Sequence, residues 1–395
     1  MAKLRVGVIF GSRSVEHDVS IVTARQVIAA LDRAKYDVVP IYLTEEGRWL
    51  VGETLASAPL ADFKRRAPHL PGVVEAALLP DPHRRDLVAR GGQRLLGLGR
   101  ANLPPLDVAF PCVHGTNGED GTLQGLFELA NLPYVGAGVT GAAVGMDKIL
   151  MKAVFRDAGI PVVGSCWFTS GEWQRDSAGI LDRLERTLPY PMYVKPANLG
   201  SSVGITRADD RNGLEYAIEV AIRYDRRILV EEGLTDIVEV NCAVLGNDDP
   251  QPSVCEQPAR WQDLLSFEDK YLAGGKAKGM SGAQRQIPAP IGEALTHEVQ
   301  RLAVAAFKAI DCAGIARVDT MVRLADGRVW VNEINTMPGS LAFYLWEPTG
   351  LSFSALCDRL IALAIERHRE RQGRLTRYDN TLLEQAGGQK LGARA

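Results

Sequence analysis

The sequence predicts a mixed α/β and α+β protein that opens on a doubly wound parallel sheet, and three observations carry that reading. The first is a βαβ opening: a β-rich run from Leu4 to Phe10, a turn from Gly11 to Ser14, a helix pattern from Asp18 to Leu31, and an apolar strand from Val38 to Leu43. The second is a pair of strand-like runs around a Gly/Ser loop, Tyr193-Val194-Lys195 and then Pro196 to Ile205, which reads as a second βα module. The third is a hairpin, in which Ile315 to Leu324 and Arg328 to Ile334 flank Ala325-Asp326-Gly327. Asp-Gly between β-rich runs is a strong hairpin signal.

The hairpin is where chemistry concentrates. A two-residue loop at Asp326-Gly327 would throw Asp319 and Glu333 onto opposite faces, because side chains alternate with period two. A three-residue loop, with Gly327 left-handed in a G1 bulge, sets Asp319 opposite Glu333 and Arg317 opposite Asn335. All four then share one face. Two carboxylates and an amide oxygen suit Mg²⁺, which takes oxygen ligands and shares itself with substrate phosphates. Arg317 beside such an ion would stabilise negative charge on a phosphoryl group or a tetrahedral intermediate. The bland alternative is a surface hairpin with a solvated charged face.

Composition narrows the classes. At 395 residues the chain has room for two or three domains, and its 46% hydrophobic and 24% charged content is that of a globular protein. A formal net charge of -3 gives no global attraction for nucleic acid or an anionic membrane, so an anionic ligand must be held by local cations. The six cysteines are scattered without a CxxC, which offers no zinc site and reads as reduced thiols. No apolar run approaches the roughly 18 residues of a membrane span, and Met1 to Leu4 leads directly into a strand without a signal-peptide pattern. A cytoplasmic location is expected.

In chain order, the first turn lacks a G-x-G-x-x-G fingerprint, so no dinucleotide site is assigned. Glu16 sits before the first helix at the carboxyl end of the first strand, where open α/β sheets place ligand groups; its bland role is to interact with the helix dipole. Residues 52 to 104 read as an irregular insertion with little chemistry. Leu106 to Val113 is a strand ending at His114-Gly115, and Thr116 to Gly121 leads into a helix from Thr122 to Ala130. His114 thus stands at a strand's carboxyl end, facing a glycine-rich loop.

Ala143 to Ala158 reads as one helix containing Met146-Asp147-Lys148. The loop Asn198 to Gly204 lets backbone N–H groups approach phosphate oxygens with Lys195 alongside, although Lys195 precedes the glycines, so this is not a P-loop. Arg227 to Val230 is a strand ending in Glu231-Glu232-Gly233-Leu234, and Ile237 to Gly246 is a strand carrying Glu239. A carboxylate there could hold an adenine amine or a ribose hydroxyl. Pro258 to Gly282 is long and polar enough for a lid. A helix from Ile291 to Ile310 precedes the hairpin, and a final helix runs from Phe353 to about Arg367.

With these stretches in hand, the chain resembles the D-alanine:D-alanine ligases of the ATP-grasp superfamily over residues 1 to about 370. The motifs that carry the resemblance occur in the family's order: Ser14 to Ser20, His114-Gly115 with Gly118-Glu119-Asp120-Gly121, Met146-Asp147-Lys148, Gly200 to Gly204, Asp269-Lys270-Tyr271, Ala316 to Asp319, and Asn332 to Gly339. The resemblance implies an ATP-grasp fold with an N-terminal substrate domain at 1–147, a central domain at 148–231, and a C-terminal domain at 232–370 carrying a lid loop at 258–282. The tail 371–395 is expected to be poorly ordered. A homodimer through the N-terminal domain is implied, with no nucleic-acid or membrane partner.

The resemblance also implies roles. ATP, the co-substrate, would be held by Lys148, Lys195, Ser202, Val203, Glu231, Leu234, Glu239 and Asn332. Two Mg²⁺ ions, with Mn²⁺ as an alternative, would sit on Asp319, Glu333 and Asn335. Glu16 would hold the ammonium of the first D-alanine, His114 would lie near its carboxylate, and Arg317 with the Gly339 N–H would form an oxyanion hole. Ser201 and Tyr271 would bond to Glu16 and fasten the lid, excluding water from an acyl phosphate. Lys270 and Tyr344 would face the second substrate. Tyr344 departs from the serine of many relatives, and the lid lacks their tyrosine-rich form. Lys270-Tyr271 favours an amine nucleophile over D-lactate. The alternatives are another acceptor, such as D-serine or D-lactate, and a regulator that kept the grasp and lost catalysis.

Overall fold

The computed structural model describes residues 2–90, 103–201, 203–258 and 285–375. Ser202, Lys270, Tyr271, nearly all of the expected lid and the tail from 376 lie outside these residues.

Apolar runs of the N-terminal part form one six-stranded sheet: β1 (Leu4–Gly11), β2 (Tyr36–Leu43), β3 (Trp49–Val51), β4 (Val74–Leu78), β5 (Leu87–Ala89) and β6 (Val108–Pro111). Their order is β5-β4-β3-β2-β1-β6. Only β2, β1 and β6 run parallel; β3, β4 and β5 add antiparallel to the β2 edge. The parallel β2-β1-β6 core is the one expected from the sequence, while the antiparallel strands β4 and β5 correct the expectation of an irregular stretch at 52–104. Strands of three to five residues are too short to show a period, and they are held by edge pairing more than by an amphipathic face.

The other two sheets are antiparallel throughout. The second orders β7 (Ser165–Thr169), β10 (Arg227–Glu232), β8 (Met192–Pro196) and β9 (Thr206–Ala208) side by side. The expected βα module at 193–205 is therefore a β8–β9 hairpin joined through residues 197–205. The third orders β12 (Gln251–Glu256), β11 (Val238–Gly246), β13 (Gly314–Arg323) and β14 (Arg328–Asn335). The helix Glu293–Ala309 covers its buried face through Val299, Leu302, Ala306 and Phe307.

The single helix expected over 143–158 is two, Val139–Met146 and Lys148–Asp157. Asp147 breaks it with extended backbone, and its carboxylate accepts the N–H groups of Ile149 and Leu150 at 3.1 Å. An aspartate that caps the next turn competes with the preceding helix, and here it places Lys148 at a helix start. The final helix runs beyond Arg367 to Gln372. Its Leu356, Leu360 and Ile361 pack with Val6, Phe10, Val108 and Phe110, so the C-terminal helix completes the core of the first sheet. No single helix among the described residues is long and apolar enough to cross a membrane.

Candidate active site

The site begins with the hairpin. Arg317 pairs with Asn335 and Asp319 with Glu333, the register expected from sequence. The route to it differs. Arg323 pairs with Arg328 across residues 324–327, and the ladder shifts back into phase past Asn332, which bulges from β14. Gly327 does adopt a left-handed conformation, at φ 70°. Along β13 the even-numbered residues from Ala316 to Val322 are buried in the core, while Arg317, Asp319 and Met321 face the cleft.

One cross-strand row then spans the whole sheet: Glu256 beside Asn241, Asn241 beside Asp319, Asp319 beside Glu333. Arg317 grips Asp319 at two points, Nε to Oδ1 at 2.6 Å and a terminal nitrogen to Oδ2 at 2.7 Å. Asn335 donates to the same carboxylate at 3.2 Å. Burial nevertheless pushes the Asp319 carboxyl up, and Glu333 and Glu256 add to the push against Arg317. Crowded carboxylates at adjacent strand positions, with an amide alongside, are a donor set that fits a hard divalent cation.

Cations approach from the start of the helix Lys148–Asp157 and from β8 of the second sheet. Lys148 lies 3.4 Å from Glu333 and donates to the carbonyl of Leu199 at 3.0 Å. Lys195 lies 2.6 Å from Glu231 and donates to the Asn332 side chain at 3.5 Å. Burial works against charge on Glu333, but Lys148, Lys195 and Arg317 outweigh it and hold the carboxyl low. Glu231, expected at the adenine, is sealed in the interior, because β10 continues through Glu232 and carries it into the sheet. It is bracketed by Lys195 and by Lys152, the latter at 2.9 Å, and these hold it at about 2 despite burial. Leu234 is half-buried in the turn after β10, and Glu239 is exposed on β11, within electrostatic reach of Lys195.

Glu16 occupies the N-cap position of the helix His17–Ala30 without capping it, so its carboxylate is free to face the cleft. Ser201 donates a short hydrogen bond to it. Two glycines make the room: a Cβ on Gly115 would stand 2.5 Å from a Glu16 oxygen, and one on Gly200 2.7 Å. Burial raises the Glu16 carboxyl, with nearby Glu333 adding to it and Lys148 opposing.

His114 is not a cation here. Its Nδ1 donates to the Met337 carbonyl and its Nε2 accepts from the Thr23 hydroxyl, both at 2.9 Å, and burial lowers it to about 4. Thr23 also accepts the Ser340 N–H at 3.2 Å. Glu119, which the motif contained but the role assignment passed over, accepts the N–H groups of Gly115 at 2.8 Å and Met337 at 2.9 Å. Together these groups fix the segment after β14 that leads to Gly339. Just beyond it, Ser340, Leu341 and Ala342 are held left-handed at φ 46–53°, a conformation costly without glycine.

Burial, with Glu16 adding to it, raises Glu119 from 4.5 to about 8. The sign follows: between those values the folded state holds a proton that the unfolded state has lost, so stability falls as pH rises from 4.5 to 8. His114, held low, works the other way between about 4 and 6.5, so the check is the thermal stability of wild type relative to Glu119→Gln, and that difference is expected to fall as pH rises from 4.5 to 8. A difference that does not change with pH would refute it. The amide supplies one acceptor fewer, and that loss is the same at every pH, so it offsets the two curves without altering the difference in their slopes.

Tyr344 is buried, donates to Glu256 at 2.9 Å, and lies under the Arg285 guanidinium, 4.1 Å from the ring centroid. Arg285 also pairs with Glu256 at 3.3 Å. Asn241, Glu256 and Arg285 were missed by sequence reasoning. Alternation from Glu239 could have flagged Asn241, but no local signal identifies Glu256 or Arg285.

A lysine-lined antiparallel sheet set against a carboxylate-bearing one, with a glycine loop between, is the architecture of the ATP-grasp class. Family profiles described as D-ala D-ala ligase N-terminus and D-ala D-ala ligase C-terminus match residues 5–137 and 154–362. The chain is 41% identical to the D-alanine--D-alanine ligase of Geobacillus thermodenitrificans over 374 residues, 94% of this chain and 98% of that one. Its structure resembles the D-alanine-D-alanine ligase of Coxiella burnetii, with a TM-score of 0.74, 34% identity, and coverage of 94% and 97%. It also resembles the VanG D-Ala:D-Ser ligase of Enterococcus faecalis, with a TM-score of 0.77, 29% identity, and coverage of 92% and 100%. The chain belongs to the D-ala D-ala ligase family.

Proposed function

We propose that the protein joins two D-alanines into D-alanyl-D-alanine at the expense of ATP, for peptidoglycan precursor synthesis. The observation that carries the reading is the convergence of Glu16–Ser201, Lys148, Lys195, and the Arg317–Asp319–Glu333 face on one cleft. Asp319, Glu333 and Asn335 would hold Mg²⁺, with Mn²⁺ as the alternative, and the ion when bound offsets phosphate charge. Lys148 and Lys195 face the phosphates, Val203 and Ser202 serve the nucleotide as the resemblance implies, and Leu234 and Glu239 frame the adenine and ribose.

Glu16, held by Ser201, binds the ammonium of the first D-alanine. That substrate's carboxylate attacks the γ-phosphate, giving D-alanyl phosphate and ADP. The second D-alanine's amine then attacks the carbonyl, and phosphate leaves. Negative charge develops on the carbonyl oxygen, where Arg317 and the Gly339 N–H stabilise it. His114, neutral, positions the segment that leads to Gly339 through the Met337 carbonyl. Lys270 and Tyr271 serve the lid and second subsite, and the active species is a homodimer.

The likeness to a D-Ala:D-Ser ligase and the Tyr344 substitution support a second reading, in which another acceptor is used. Mass spectrometry of the product formed from ATP and D-alanine, with D-serine and D-lactate competing, decides between them; D-Ala-D-Ala as the minor product would overturn the first. Tyr344→Ser removes the bond to Glu256 and the ring beneath Arg285. It is expected to raise KM for the second D-alanine by about tenfold and leave the KM for ATP within about twofold. Unchanged acceptor kinetics would remove Tyr344 from the subsite.

A further inference from the structure

Behind the nucleotide-facing wall lies a sealed trio of charges: Lys152 and Glu231, with side chains 1% and 3% exposed, and Lys195, at 12%. Lys152 stands one turn beyond Lys148 on the same helix face, but cannot reach the cleft. Its ammonium is 2.9 Å from Glu231 Oε1, and its aligned hydrogen bond goes to the carbonyl of Asn332 at 3.1 Å. Asn332 is the bulged residue of β14, and the extra residue of a bulge falls outside the ladder. Lys152 supplies its carbonyl with a donor. Lys195 takes the other oxygen of Glu231 at 2.6 Å and meets the Asn332 side chain at 3.5 Å.

The charge balance is what gives Lys152 a function. Glu231 with Lys195 alone would be neutral and would offer a triphosphate nothing. Burial works against charge on Lys152, while Glu231 and Glu333 support it; with Lys152 protonated and sharing the carboxylate, the trio by itself carries one net positive charge, and its only partly exposed member is Lys195. The same ammonium ties the bulge that carries Asn332 and Glu333 to the lysine wall of the second sheet.

We infer that Lys152 is a positioning residue for the nucleotide: it divides Glu231 with Lys195 so that Lys195 remains a net cation toward the phosphates, and it anchors the Asn332 bulge beside them. This rests on the ATP-dependent reading above.

The test uses the full-length protein and two measurements: steady-state kinetics with Mg²⁺, ATP and D-alanine, and calorimetric binding of the non-hydrolysable analogue AMP-PNP. Lys152→Met is expected to raise KM for ATP and Kd for the analogue by roughly tenfold or more, leaving KM for D-alanine within about twofold. Adding Glu231→Gln to it restores the net positive charge and is expected to recover most of the affinity. A purely structural lysine would lower thermal stability without a nucleotide-specific loss.

Wild-type analogue affinity in Lys152→Met, equal losses for ATP and D-alanine, or a loss that Glu231→Gln deepens would each overturn the inference. Should Lys152→Met not fold, the double variant carries the test, since removing both buried charges is tolerated far better than removing one. It is then expected to bind the analogue within about threefold of wild type, and binding tenfold weaker or worse would overturn the inference. Absence of ADP release by the wild type would instead defeat the functional reading, while analogue binding would still decide the role of Lys152.

Discussion

Replacing Glu333 by glutamine is expected to lower D-alanine-dependent ADP release by about a hundredfold or more while leaving the protein folded. Glu333 faces Asp319 across the β13–β14 ladder and has Lys148 at 3.4 Å. The amide keeps the shape and removes the charge on which cation binding depends. The fold should tolerate this, because the Glu333 side chain is 31% exposed to the cleft and is not packed into the core. ADP release with saturating substrates and a thermal melt check the two halves. Near-normal turnover would refute the assignment of this face to the cation, and a collapsed melt would mean that Glu333 supports the sheet instead.

Removing Arg317 is expected to have a double effect. Arg317→Met leaves Asp319 recessed beside Glu333 and Glu256 with its two-point partner gone, and breaking such a pair costs about 3–5 kcal/mol. It also removes a donor aimed at developing negative charge, which is expected to lower turnover by about a hundredfold to a thousandfold. The double variant Arg317→Met with Asp319→Asn tests the stability half alone, because Asp319 is itself placed on the cation: neutralising the stranded carboxylate should return much of the thermal stability. Turnover of Arg317→Met itself, measured where it is still folded, tests the other half, and near-normal turnover there would show that Arg317 serves only to balance Asp319.

Legibility in the sequence followed the range of the interactions. Period-two alternation and an Asp-Gly turn were enough to pair Asp319 with Glu333, because one apolar face had to reach the core. The compensating pair, a longer turn and a bulge at Asn332, left the pairing unchanged and no trace in the pattern. The helix break at Asp147 was open to the same local reasoning, since an aspartate before Lys148 is a cap, and the apolar run across it concealed the signal. Short strands at 49–51, 74–78 and 87–89 were missed for lack of length.

By itself the sequence determined the βαβ opening, the site hairpin and its carboxylates, the glycine loop near Lys195, and the family, because each is written in residues close together along the chain. Only the tertiary structure decided that Glu231 is enclosed by Lys152 and Lys195, that His114 is neutral and holds Met337, that Glu256 and Arg285 meet Tyr344, and that the last helix completes the first sheet's core. The physical reason is that a buried charge or polar group must find a partner, and the chain supplies that partner from tens to hundreds of residues away, where no local period or spacing points to it.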